Sequence, residues 1–147
     1  MKSSSFLVAA AFATASLVAL MGVRADLAHA AFAGASGKIA FQTNRDQNWE
    51  IYSMNSPAGS GQINLTNNLC LDAHAAWSPD GTRIAFVSNR QFCGSSQTDL
   101  WLMGASGGSP TKLTDIALSP TWAPDGRRIA YLCGQMSVCV INADGTA

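Results

Sequence analysis

AAWSPDGTRIAF at residues 75–86 and PTWAPDGRRIAY at residues 120–131 carry the same message in the same register. A shift of 45 residues aligns Trp77 with Trp122, Pro79 with Pro124, Asp80 with Asp125, Gly81 with Gly126, Arg83 with Arg128 and Ile84 with Ile129. Taken backwards, the shift sets KIAFQTNR at 38–45 under RIAFVSNR at 83–90, so the unit occurs at least in part three times. The first copy lacks its WSPDG. A unit that recurs at a fixed period buries its apolar surface by stacking on its own copies.

Within the unit the periodicity is that of strands, and residues 38–147 hold no amphipathic stretch of helical length. In the middle unit strand A is predicted at about 74–77, strand B at RIAFVS, strand C at TDLWLM (98–103) and strand D at TKLT (111–114). Pro79 presets φ at the second turn position, Asp80 tolerates the third, and Gly81 supplies the left-handed conformation; Pro124, Asp125 and Gly126 repeat the device. Repeats of roughly 40 to 45 residues with four strands each are the signature of a β-propeller. The fold class predicted is therefore all-β, a partial β-propeller built from four-stranded antiparallel blades.

These residues also carry a family resemblance. IAFxSNR, an acidic residue with Ile or Leu and an aromatic, then LT, then WSPDG, resembles the WD-type repeat of TolB-like β-propellers. KIAFQTNRDQNWEIYSMN is similar to its opening, INLT and TKLT to its strand D, and NADGT at 142–146 to its C-to-D turn. The resemblance covers about residues 38–147 and implies an exported, non-enzymatic propeller that binds proteins of the cell envelope, an envelope lipoprotein among them. The same repeat also occurs in the propeller domains of serine peptidases of the prolyl oligopeptidase type, where it would position or gate substrate. The separate N-terminal α/β domain expected of the Tol-system protein has no counterpart between the predicted leader and the first repeat.

The chain has 147 residues, 48% hydrophobic and 12% charged, enough apolar material for one globular domain. Nine basic and nine acidic residues cancel without forming runs, which argues against nucleic acid and against an anionic membrane surface. Lys2 precedes the apolar stretch FLVAAAFATASLVALMGV at 6–23, and small residues follow at Ala28 and Ala30. This is the layout of a secretory signal peptide over residues 1–30, cleaved after Ala30 or, alternatively, after Ala25. An uncleaved signal would be the one route to the membrane. Residues 31–147 are then the partial propeller, with repeats at about 38–73, 74–119 and 120–147, in a periplasmic or secreted protein. Fewer than three blades are counted against the roughly four to eight of a closed ring. Either the reading frame is cut short or the chain completes its ring by self-association.

Export places Cys70, Cys93, Cys133 and Cys139 in an oxidising compartment. Strand alternation sends the D-to-A and B-to-C loops to one end of the arc, and all four cysteines fall there. Cys133 with Cys139 and Cys70 with Cys93 are the preferred disulfides among three pairings. The cysteines lack CxxC units, and His74 is the single histidine after residue 30, so no metal or cofactor is expected.

No catalytic residue is assigned. GASGG at 104–108 matches GxSxG and would nominate Ser106, but that motif needs a strand-to-helix turn and here a strand follows. His74, Arg45 and Arg90 are the candidate partner-binding residues. His74 reads more simply as a solvated or hydrogen-bonded ring. Arg45 and Arg90, each after Asn at the end of strand B, read more simply as partners of an acid such as Asp46 or Asp72. Asp80 and Asp125 read as turn residues rather than cation ligands. Trp77, Trp122, Tyr52 and Trp101 fall at equivalent positions in pairs and are assigned to packing between blades. Asn64 opens a glycosylation sequon that lies in strand D.

Overall fold

The computed structural model describes residues 37–56 and 58–146. Ten short strands follow one another: β1 (Lys38–Thr43), β2 (Glu50–Asn55), β3 (Ile63–Asn64), β4 (Asp72–Trp77), β5 (Arg83–Ser88), β6 (Asp99–Gly104), β7 (Thr111–Thr114), β8 (Leu118–Trp122), β9 (Arg128–Cys133) and β10 (Ser137–Asn142). They form three antiparallel sheets in the orders β1-β2-β3, β4-β5-β6-β7 and β8-β9-β10. The middle sheet is a complete four-stranded blade; the first sheet supplies strands B, C and D, and the third supplies A, B and C. Strand A of the middle blade starts at Asp72, ahead of its predicted start. A 3₁₀ turn at Gly134–Met136 is the sole helical element among the described residues. The predicted signal segment lies outside the described residues.

The register is the same from sheet to sheet. Arg83 faces Gly104 and Ser88 faces Asp99 between β5 and β6, as Lys38 faces Asn55 and Thr43 faces Glu50 between β1 and β2. Strand β1 lies against β4, and β4 against β8; the A strands β4 and β8 form the inner row of the arc. Each complete inner strand is bulged: the β4–β5 pairing slips between Ala73 and Ala76, and the β8–β9 pairing slips between Leu118 and Thr121. His74 (φ 53°) and Ser119 (φ 47°) take the left-handed conformation within those bulges.

The core lies between blades. Ile51, Leu65, Trp77, Ile84, Phe86 and Met103 join the first sheet to the second. Ala85, Val87, Leu100, Trp122, Ile129 and Ile141 join the second to the third. Alternation along β5 explains the division, since Ile84 and Phe86 face one neighbour while Ala85 and Val87 face the other. Fully burying one such large apolar side chain contributes roughly 1.5–3 kcal/mol.

The turns follow from their residues. Gly81 donates its N–H to the Ser78 carbonyl at 2.9 Å, and Ser78 and Arg83 close the hairpin, N–H to carbonyl, at 2.9 Å. The Asp80 carboxylate accepts the Ser78 hydroxyl and the Thr82 N–H, and these hydrogen bonds, the hydroxyl first, hold its pKa down at about 2. Asp125 accepts the Arg127 N–H at 2.9 Å in the same way. At the C-to-D turn Gly107 (φ +79°) lies against the preceding blade: a Cβ there would sit 2.6 Å from the Leu65 carbonyl oxygen. Gly145 occupies the matching turn of the third sheet, beside the Leu113 side chain.

Candidate functional site

The D-to-A and B-to-C loops share one end of the arc, and buried acids hold them there. Glu50, 2% exposed, accepts hydrogen bonds from the Asn48 amide (2.7 Å), the Asn68 N–H (2.9 Å) and the Thr66 hydroxyl. Asp99, at the same register position one sheet on, accepts the Ile116 N–H at 3.2 Å and lies 3.6 Å from the Lys112 ammonium. Asp72, fully buried, pairs with Arg90 at 2.8 Å and accepts the Asn68 amide. Asn89 bridges two loops, accepting the Leu71 N–H at 2.9 Å and donating to the Ser95 carbonyl at 2.7 Å.

Two disulfides lie in these loops. Cys70 bonds Cys93, with Cα atoms 5.0 Å apart, and joins the D-to-A loop of the first blade to the B-to-C loop of the second. Cys133 bonds Cys139 across the short β9–β10 hairpin, Cα to Cα 5.8 Å.

The candidate partner-binding residues separate. Arg90 is committed to Asp72, with its guanidinium 5.1 Å from the Phe86 and Trp101 ring centres. Arg45 lies at the same end one blade back, stacked 4.6 Å over Tyr52, and donates to the Gln62 side chain at 2.6 Å. The carboxylate of Asp46, expected as its partner, instead accepts the Tyr52 hydroxyl and the Asn64 amide, and the hydrogen bond from the phenol, with burial, raises the Tyr52 pKa. His74 stands in the inner row, its Nδ1 accepting the Ser119 N–H at 3.3 Å. Ser106 lies in a turn closed by the Gly107 N–H on the Gly104 carbonyl at 3.0 Å, directly ahead of β7. Asn64 lies in β3, where its side-chain oxygen accepts the Thr66 and Asn67 N–H groups.

The loop end also presents apolar side chains that sequence reasoning passed over. Leu69 is 93% exposed, Phe92 70% and Met136 73%, with Ile116 and Leu118 close to half exposed. Leu69 and Phe92 adjoin the two halves of one disulfide. Ile116, Leu118 and Met136, with Thr98 and Leu132, line a groove of about 230 Å³. The signal available was a large apolar residue beside a cysteine in loops whose length differs from blade to blade. Glu50 and Asp99 were equally findable, as the acid that opens strand C in both copies.

This geometry can be set beside known proteins. The chain matches the PD40 family, TolB beta propeller domain, over residues 3–144. No curated protein matches it. Among solved structures it is similar to a protein described as TolB from Agrobacterium tumefaciens, at 23% identity and a TM-score of 0.68, covering 79% of this chain and 45% of that one. It is similar also to TolB from Acinetobacter baumannii, at 22% identity and a TM-score of 0.65, covering 78% of this chain and 29% of that one. The chain thus spans less than half the length of both. An acylaminoacyl peptidase of Pyrococcus horikoshii is a more distant likeness, at 18% identity and a TM-score of 0.47, covering 75% of this chain and 21% of that one. With three repeats, their shared register and a family match that takes in all of them, the chain belongs to the PD40 family of TolB β-propeller domains.

Proposed function

We propose that this chain is a non-enzymatic, exported platform that binds a protein of the cell envelope through the D-to-A and B-to-C loop end of its blades. One observation carries the reading: Leu69, Phe92, Ile116, Leu118 and Met136 stand exposed at the end of the arc whose loops are pinned by two disulfides and a buried ion pair. Apolar side chains held in place lose little entropy on docking, and a clustered apolar patch rimmed by polar groups is the composition of a protein contact. Ser106, the residue a hydrolytic reading would need, is held in a glycine turn ahead of a strand, which supports the non-enzymatic reading. The disulfides support export, and the family supports an envelope partner.

A photo-crosslinking residue placed at Phe92, at Met136 and, as a control on the opposite end, at Ser106 tests this in intact cells. Discrete protein adducts are expected from Phe92 and Met136 and none from Ser106. Equal labelling from both ends, or adducts from Ser106 alone, would refute the platform.

A further inference from the structure

The groove that Ile116, Leu118 and Met136 line, between the second and third blades, is built from strained backbone. Ile116 (φ 48°) from the D-to-A loop and Met136 (φ 61°) from the β9–β10 turn both take the left-handed conformation, as does Gln135 (φ 60°). A β-branched residue stands there only under constraint. The surroundings impose it: the Ile116 N–H is held on the Asp99 carboxylate at 3.2 Å, while Ala117 gives its N–H to the Thr98 carbonyl at 2.8 Å and accepts the Thr98 hydroxyl at 2.7 Å. The Cys133–Cys139 bridge closes the hairpin that carries Gln135 and Met136. The hydrogen bond to the acid of strand C does not itself call for isoleucine, since Asn68 makes it with Glu50 at 2.9 Å in the first blade. Nor does the strain bury apolar surface, for among the described residues Ile116 is 49% exposed and Met136 73%. Strain that holds apolar side chains in solvent is the mark of a ligand clamp.

Size and charge indicate the occupant. The groove encloses about 230 Å³, less than the roughly 300–1,000 Å³ of a small-molecule site, and so has the size of a side chain. No charged residue lines it among the described residues. Beside it the balance is negative. The Asp115 side chain, next to Ile116, is 71% exposed, and its ammonium partner Lys112 is shared with Asp99. The repeat extends this bias over the whole loop end. Strand C opens there on an acid, Glu50 or Asp99, whereas strand B opens at the opposite end on a base, Lys38, Arg83 or Arg128. Among the described residues Asp46, Glu50, Asp72, Asp99 and Asp115 thus stand at the loop end against Arg45, Arg90 and Lys112.

Resting on the loop-end platform above, we propose that this groove receives one large apolar side chain of a partner protein segment in which a basic residue follows and meets Asp115. An uncharged groove rejects a charged side chain, which would lose its water without gaining a partner. The carboxylate beside it favours a cationic neighbour over an acidic one.

Methyl NMR on the full chain tests this, with a blocked serine–glycine peptide that carries one leucine followed by one lysine as the probe. Saturable shifts are expected at the Ile116 and Leu118 methyls. Alanine in place of the peptide's leucine is expected to weaken binding on the order of 10-fold. Glutamate in place of its lysine should weaken it about 3-fold, a difference that Asp115→Asn removes. No response at Ile116, or equal affinity for the lysine and glutamate peptides, overturns the proposal. Met136→Asn separates binding from folding, because asparagine is at home in the left-handed conformation and Met136 buries little. This variant is expected to keep or raise the melting temperature while binding the peptide about 5-fold more weakly. A lower melting temperature, or unchanged affinity, overturns the proposal. Discrete adducts from Phe92 in cells together with no peptide response at Ile116 overturn the groove and leave the platform standing. A peptide response together with equal labelling from both ends of the arc overturns the platform and leaves the groove.

Discussion

Asp80 and Arg90 show two different ways in which one charge supports this fold. The Asp80 carboxylate is held near a pKa of about 2, below its ordinary 3.8, by the Ser78 hydroxyl and the Thr82 amide. A group depressed in this sense contributes stability above pH 3.8 that is lost as the pH falls through about 2. Asp80→Ala is accordingly expected to cost roughly 1 kcal/mol at neutral pH. Its melting temperature should also fall less than that of the unmodified chain between those two pH values, as followed by circular dichroism. Arg90 acts through burial instead. Asp72 is fully buried, and Arg90→Ala would leave it without its cation, at an expected cost of roughly 3–5 kcal/mol in urea unfolding. Arg90→Lys should recover only part of this, because the planar guanidinium also stacks beside Phe86 and Trp101.

Among the elements, the Cys70–Cys93 bridge is the one whose removal should be felt both in stability and at the loop end. It closes 23 residues of separation, for which the chain-entropy model gives about 3 kcal/mol; the short Cys133–Cys139 closure gives about 2. Cys70→Ser with Cys93→Ser should lower the melting temperature more than the other double variant does. It should also open the segment from Asn89 to Thr98 to limited proteolysis, with cleavage sites read by mass spectrometry. Strand positions were readable in the sequence because RIAFVS and TKLT alternate locally and WSPDG names its own turn. The bulges at His74 and Ser119 were not, since both left-handed residues answer to hydrogen bonds that arrive from a neighbouring strand or blade. The same distinction holds at the loop end. The cysteine pairs could be read from which loops share a face, whereas Arg45 took an aromatic ring and Gln62 in place of Asp46 through contacts that sequence spacing does not encode.

For the whole molecule, the two outermost blade faces repeat surfaces that are buried in the middle. Ile84 and Leu100 are fully buried there, while the corresponding Ile39 and Val138 are 41% and 73% exposed among the described residues. The faces differ from each other and match as successive blades match, which is the complementarity of a head-to-tail rather than a two-fold contact. Sedimentation velocity is expected to show concentration-dependent association, abolished by Val138→Lys with Val140→Lys; identical profiles for the two chains would remove the idea. Gly107 acts between neighbouring blades of one chain. Its hydrogen touches the backbone of Leu65 at the outer margin of the arc, as Gly145 approaches Leu113 one step on. Gly107 thereby allows the outer margins of the first two blades to approach closely. A methyl group at Gly107 would press on the Leu65 backbone and prise those margins apart, whereas one at Gly145 would rest in ordinary contact with the Leu113 side chain, so the angle between the first two blades is limited in part by a residue that has no side chain.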